Sequence, residues 1–458
     1  VPLNIVSAIL FSPRGGSAHV ARALAEGLSA QGCAVTLLAG SRDDLDGHGD
    51  ARRFYGDVDL RPVNFGPAIE SADPLAYTGP AGTAPIHPSF EDRPGAIDRV
   101  FAALDDEAYE RQVAAWSREL AAAGAAEADV LHLHHLTPLN EAAARVAPGV
   151  PIVGQLHGTE LLMLEAIDSG APNWPHATVW AQRLRRWARE CALIVVAEGA
   201  VARARDVLEL DDERIVPLPS GVETDVFGPR PVDRRTLWRE VLVERPRGWR
   251  PGGKAGSIAY QEDEIEPLLD GVVVVYVGRF TAVKRLPLLI EAFAAANERT
   301  ATPSGLVLIG GHPGEWEGEH PADTIARIGA RGVFLAGWHD HTRLSEMLCA
   351  SDVVALTSAR EQFGLVLVEG MACERPVVAT RSPGPVSIIT DGTTGWLTVD
   401  DSEDALASAL AEAIDNHAER ARRGRAAREV ICEHYTWDAI AERLVAVLEE
   451  VASPSLTP

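Results

Sequence analysis

Along nearly the whole chain, short runs of consecutive apolar residues are broken by Gly- or Pro-containing turns and followed by stretches with apolar residues at helical spacing. A strand whose every residue is apolar buries both of its faces, so this alternation predicts parallel sheets covered by helices on both sides. In the first half, residues 3–11 form such a run and Ser12-Pro13-Arg14-Gly15-Gly16-Ser17 breaks it. Ala21, Leu24, Ala25 and Leu28 then recur at helical spacing before the next run, Ala34-Val35-Thr36-Leu37-Leu38. Further strands are predicted near 129–133, 151–156 and 192–197. A new series starts at Gly271-Val272-Val273-Val274-Val275-Tyr276-Val277 and continues near 306–310, 332–335, 353–357 and 376–379. A chain of 458 residues exceeds what one hydrophobic core organises. The predicted fold class is therefore α/β, with two Rossmann-like doubly wound domains facing across a cleft. Residues 1–220 and 221–435 are the predicted domains, joined by the turn-rich passage from Pro217 to Pro229. Residues 41–100 are polar and rich in Pro and Gly, and are expected to form a lid-like insertion; 231–270 also reads as polar and irregular.

Charge and cysteine usage narrow the function. With 42 basic and 66 acidic side chains the net charge is -24, a field that repels a phosphate backbone, so nucleic acid is not expected as a partner. The five cysteines are scattered and never form a CxxC pair, which argues against a disulfide framework or a zinc site and for a reducing, cytoplasmic location. The opening VPLNIVSAILFSP has no positive charge ahead of its apolar run and reads as a buried first strand. No apolar run approaches the roughly 18 residues of a spanning helix. The arginine-rich stretch RLRRWARE (Arg183, Arg185, Arg186, Arg189) is read as a solvated face in preference to a membrane patch. No prediction follows for the oligomeric state.

Three clusters carry chemistry. The strand 272–277 runs into Gly278-Arg279-Phe280-Thr281-Ala282-Val283-Lys284, a close backbone turn followed by two cations ahead of a helix. A guanidinium and an ammonium fixed in this way neutralise a leaving diphosphate without a metal. Lys284 is one of only two lysines, the other being Lys254, which favours a role beyond surface charge. The second cluster, Glu361-Gln362-Phe363-Gly364-Leu365-Val366-Leu367-Val368-Glu369, follows strand 353–357 and opens a helix near Gly364. Its free backbone N–H groups form an anion site flanked by two carboxylates. The third is VLHLHHLTP, in which His132 and His134 are expected on one face of a strand and His135 on the other. With no acidic partner apparent, metal binding is not expected. His134 or His135, near the strand end, is a candidate contact for a second substrate.

The segments GRFTAVKR, GWHDHTRLSEMLCASDVVALTSAREQFGLVLVEGMACERPVVAT and DGTTGWL, with GGSAHVARALAEGLSAQGCAVTLL, QLHGTE and PSGVETDVF, together resemble the retaining family 4 glycosyltransferases. The resemblance covers most of the chain outside roughly 41–110 and 231–270. It implies the GT-B fold, an N-terminal acceptor domain, a C-terminal nucleotide-sugar domain and a helix at 436–458 crossing back to the first domain. It further implies that Arg279 and Lys284 clamp the donor diphosphate, Glu361 binds the transferred sugar and Glu369 the ribose. Gly15 and Gly16 would admit donor or acceptor closely, as Gly278 would the diphosphate, and the backbone of Phe363, Gly364 and Leu365 would face sugar and diphosphate. Trp338 would border the base, and His157 would contact the sugar near the reacting carbon.

The co-substrate implied is a UDP- or GDP-linked sugar, with no obligatory cofactor and no Mg2+ requirement. The acceptor is expected to be a small polar molecule such as a polyol, a sugar phosphate or a natural-product intermediate, attacking through a hydroxyl or a thiol. His87, Glu91 and Arg93 in the first insertion are candidate acceptor contacts. Ser387, Glu374 and Ser220 depart from the family pattern, where an acid, a glycine and an asparagine are usual. A nucleotide-sugar epimerase, or a non-catalytic nucleotide-sugar-binding protein of the same fold, is the alternative. A pyridoxal-dependent phosphorylase needs a lysine that this chain does not spare.

Overall fold

The computed structural model describes residues 2–13, 15–42, 49–92, 97–170 and 173–453. The chain divides into two compact units, Val1–Ser220 with Trp437–Pro458, and Gly221–Thr436. The first holds a seven-stranded sheet of β1 (Asn4–Ile9), β2 (Ala34–Ser41), β3 (Leu60–Asn64), β4 (Val130–His134), β5 (Ile152–Gln155), β6 (Leu193–Val196) and β7 (Ile215–Pro217) in the order β3-β2-β1-β4-β5-β6-β7. The second holds a six-stranded sheet of β8 (Val272–Val277), β9 (Ser304–Ile309), β10 (Val333–Gly337), β11 (Val353–Leu356), β12 (Val377–Ala379) and β13 (Gly395–Leu397) in the order β10-β9-β8-β11-β12-β13. Every strand pair is parallel. These are two Rossmann-like domains. In each, the winding direction reverses between two neighbouring central strands, β1 and β4 in the first and β8 and β11 in the second, where ligands of such sheets bind at the strands' carboxyl ends.

Alternation along each strand separates the two faces of the first sheet. Val6, Ala8, Leu131 and Leu133 pack on one side with Trp116, Trp180 and Trp187. Ile5, Ile9, Val130 and Val153 pack on the other with Leu24 and Leu28 of the helix Gly16–Ala30 and with Ile440, Leu444 and Leu448 of the helix Trp437–Ala452. The last helix is thus part of the first unit's core, and a Cβ at Gly27 would lie 2.7 Å from that of Ala441.

The segment expected as a lid differs from that expectation. β3 forms one edge of the sheet, and Phe65, Leu75, Ile86 and Phe90 enter the core. Residues 231–270 are likewise more ordered than their polarity implied. Trp238 and Trp249 are fully buried, and Trp249 Nε1 donates to the Gly311 carbonyl at 3.2 Å. In both stretches the apolar anchors are too sparse to show a period, yet each fills a gap at a sheet margin.

Candidate active site

The second unit brings Lys284 and Glu361 together at the carboxyl ends of β8 and β11. Lys284 Nζ lies 2.5 Å from Glu361 Oε2, and both side chains are largely shielded from solvent. Two contacts fix the pair. Thr357 Oγ1, just beyond β11, donates to the Lys284 carbonyl at 2.8 Å. Arg285, held at φ 51°, donates from Nε to the Thr357 carbonyl at 2.7 Å while its other nitrogens reach Thr380 and Asp401. Arg285 therefore clamps the loop after β8 onto the loop after β11, a role that sequence reasoning missed beside the more conspicuous Lys284. Arg279 is exposed on the same loop, immediately after Gly278, and its carbonyl accepts a bond from the Tyr276 hydroxyl at 2.9 Å.

Glu361 leads directly into the helix Leu365–Ala372. Gly364 precedes its first turn at φ 99°, a conformation that a β-carbon disfavours, and no side chain caps it. The helix N-terminus is thus left open two residues after Gln362, with Phe363 buried beneath it. One turn on, Glu369 is buried and accepts a bond from His341 Nε2 at 2.8 Å. His341 opens the helix His341–Cys349 and was not predicted. Its position in GWHDH, at a helix start, is the signal that could have found it. Trp338, between β10 and that helix, is 40% exposed and sits on His312 with ring centroids 5.2 Å apart, while its carbonyl accepts from Arg247 at 3.3 Å.

The remaining candidates belong to the first unit. Gly15, at φ 78°, and Gly16 are exposed at the start of the helix Gly16–Ala30. His157 follows β5, and its Nε2 lies 3.1 Å from Nδ1 of His134 at the end of β4. His135 leaves the strand with φ 65°, so it does not occupy the opposite strand face as expected. Nor does the cluster lack an acid. Glu160, fully buried at the start of the helix Thr159–Asp168, places Oε1 3.3 Å from His135 Nδ1 and accepts the His157 backbone N–H at 3.3 Å. A carboxylate three residues beyond His157 was visible in QLHGTE, but its partner across the strand ends was not.

Burial disfavours charge throughout this cluster. It pushes His132 down to about 4, opposed by Gln155. His134 and His157 fall well below the ordinary histidine value through burial and then through their histidine neighbours. Burial alone would raise the Glu160 carboxyl, but His135 and the N–H groups of Glu160 and His157 hold it below the usual carboxylate range. Among the described residues no group of three or more His, Cys, Asp or Glu side chains is arranged to hold a metal ion.

His87 is buried against Phe11 and Phe65, at 5.0 and 5.2 Å between ring centroids, and donates from Nδ1 to the Pro88 carbonyl at 3.0 Å. It is a core contact, which sets it apart from the open acceptor contact expected. Glu91 is exposed, and Arg93 lies outside the described residues. In the arginine-rich helix Ala177–Glu190, Arg183 pairs with Asp106, Arg185 with Asp168, Arg186 with Glu141 and Arg189 with Glu209. Those pairings leave little net positive charge to attract an anionic surface. No described helix is long and apolar enough to cross a membrane.

Comparison with known proteins gives the same picture along the chain. Residues 14–226 match the model for Glycosyltransferase Family 4, and residues 261–430 that for Glycosyl transferases group 1. The alpha-maltose-1-phosphate synthase of Mycolicibacterium smegmatis is 30% identical over 71% of this chain and 80% of its own length. The alpha-D-kanosaminyltransferase of Streptomyces kanamyceticus is 27% identical over 66% and 71%. Among solved structures, Anabaena HepE in complex with UDP and glucose superposes with a TM-score of 0.66, covering 98% of this chain and 99% of that one at 17% identity. The two Rossmann-like domains, the family models and these relatives agree: the chain is a glycosyltransferase and belongs to family 4, with the GT-B fold.

Proposed function

We propose that the protein moves a sugar from a UDP- or GDP-linked donor to a small polar acceptor with retention of anomeric configuration. The observation that carries this is the Lys284–Glu361 pair, 2.5 Å apart beside the open helix start at Gly364. One partner has the charge to take a diphosphate and the other the oxygens to take sugar hydroxyls, and each satisfies the other until a ligand separates them. Arg279 and Lys284 neutralise the charge that builds on the departing diphosphate, helped by the N–H groups of the helix start. Removing one such fixed donor in other enzymes costs about 100- to 1,000-fold in rate. Glu369, oriented by His341, takes the ribose hydroxyls, and Trp338 borders the base.

No carboxylate is assigned as a nucleophile. The acceptor hydroxyl therefore attacks on the face the diphosphate leaves. The new C–O bond forms as the sugar–phosphate bond breaks, and the acceptor proton passes to an oxygen of the departing diphosphate. The acceptor is a polyol, a sugar phosphate or a natural-product intermediate; in the first unit His157 contacts the transferred sugar near the reacting carbon, and His135 and Glu91 supply acceptor contacts. The relative named for making maltose 1-phosphate supports a small phosphorylated acceptor. No divalent cation takes part, since the two side-chain cations do its work.

A panel of UDP- and GDP-sugars with such acceptors, read by nucleoside diphosphate release and by the anomeric coupling of the product, tests this. An α-linked donor should give an α-linked product, and chelation with EDTA should leave the rate unchanged. Donor conversion without any acceptor would make the protein an epimerase, and binding without release under every acceptor would make it a sensor.

A further inference from the structure

His134 and His157 share one contact that can hold only one proton. Nδ1 of His134 faces Nε2 of His157 at 3.1 Å, and the rings are nearly parallel, at 22° with centroids 5.3 Å apart. Two arrangements are compatible with neutral rings. In one, His134 Nδ1–H donates to His157 Nε2. In the other, His157 Nε2–H donates to His134 Nδ1. Both rings lie where burial opposes a positive charge, so a doubly protonated ring does not compete.

The far nitrogen of His134 decides between them. His134 is fully buried, its ring lies against that of His132 at 4.7 Å, and its Nε2 has no hydrogen-bond partner. If His157 were the donor, His134 would carry its hydrogen on Nε2, a buried N–H with no acceptor. If His134 is the donor, Nε2 is only an unused lone pair. Buried N–H groups without acceptors are the rarer and more costly of the two. The hydrogen therefore sits on His134 Nδ1. His157 must then carry its own hydrogen on Nδ1, the nitrogen that makes no hydrogen bond among the described residues. The His157 backbone N–H is held independently by Glu160 Oε1.

With His157 assigned to the ligand side as proposed above, we infer that His134 is a positioning residue that locks His157 in the Nδ1–H tautomer, so that His157 offers ligand a hydrogen-bond donor and not a base. An Nδ1–H cannot accept the proton of an attacking hydroxyl at that atom. It donates instead to an oxygen of the sugar or of the acceptor, which leaves the departing diphosphate as the proton's destination.

The test needs no substrate. Protein labelled with nitrogen-15 at histidine is examined by two-bond proton–nitrogen correlation, with the His157 signals assigned through His157→Gln. In the wild type Nδ1 should resonate as a pyrrole-type nitrogen and Nε2 as a pyridine-type one at neutral pH. In His134→Leu the pattern should revert toward the Nε2–H form favoured by a free imidazole. An Nε2–H tautomer in the wild type overturns the inference, as does an unchanged pattern in folded His134→Leu; if that variant does not fold, the wild-type spectrum decides alone. An Nδ1–H spectrum in a protein that transfers no sugar would leave this inference standing and remove the proposed function.

Discussion

At the residue scale the site is built from pairs whose members occupy each other's binding atoms. Lys284 and Glu361 form one, His341 and Glu369 the second, and each carboxylate sits where water reaches it poorly. Glu369→Gln keeps the shape and removes the charge. A hydrogen bond to a charged group contributes about 1.5–3 kcal/mol, so nucleoside diphosphate affinity should fall by about tenfold or more. Inorganic pyrophosphate, which has no ribose, should bind the variant as it binds the wild type. Equal losses for both ligands, measured by calorimetry, would remove the ribose role. The four charged side chains Arg279, Lys284, Glu361 and Glu369 were legible because they lie in two short segments at predicted strand ends. Arg285, His341 and Glu160 were not, because their meaning lies in partners 72, 28 and 25 residues away in the chain.

At the element scale the carboxyl ends of β4 and β5 store histidines that the fold keeps neutral. In the unfolded chain each titrates near 6.5, whereas folded His132 titrates at about 4. Unfolding therefore takes up protons below pH 6.5. The stability contributed by His132 is complete above that pH and is lost as pH falls toward 4, by about 1.4 kcal/mol per pH unit, and that of His134 and His157, also held down by burial, changes in the same direction. Glu160, held low, adds a further loss only at more acidic pH. The thermal midpoint should drop steeply between pH 6.5 and 4.5, and His132→Gln should flatten that slope. A midpoint independent of pH over this range would contradict the burial of neutral rings.

A second element-scale prediction concerns the helix Pro383–Ile388, whose Gly384 N–H donates to the Glu361 carbonyl at 2.8 Å. A Cβ there would meet the Phe363 carbonyl oxygen at 2.3 Å. Gly384→Ala must displace the Glu361–Phe363 loop, an overpacking that costs about 1–3 kcal/mol and should appear as weakened donor binding. Unchanged donor affinity would show that this loop does not shape the site. The strands that carry the site were legible as apolar runs. β3, β7 and β13 were not, being short or at sheet margins, where LRPVN, IVP and GWL have too few buried positions to show a pattern.

At the scale of the whole molecule, two sheets of the same winding divide the chain, and each offers its reversal point as a place for ligand. That architecture was legible because parallel strands buried on both faces leave continuous apolar runs that few other folds require. The way the helix Trp437–Ala452 completes the core of the first unit depends on long-range packing against the helix Gly16–Ala30, which periodicity alone does not encode. The central proposal is that Lys284 meets the donor diphosphate in the second unit. Titration calorimetry of UDP and GDP into the wild-type protein and Lys284→Ala measures this directly. At least one of the two nucleotides should bind the wild type and bind the variant at least about tenfold more weakly, the loss of one charge-assisted hydrogen bond. Equal affinity for that nucleotide in both proteins would contradict the account.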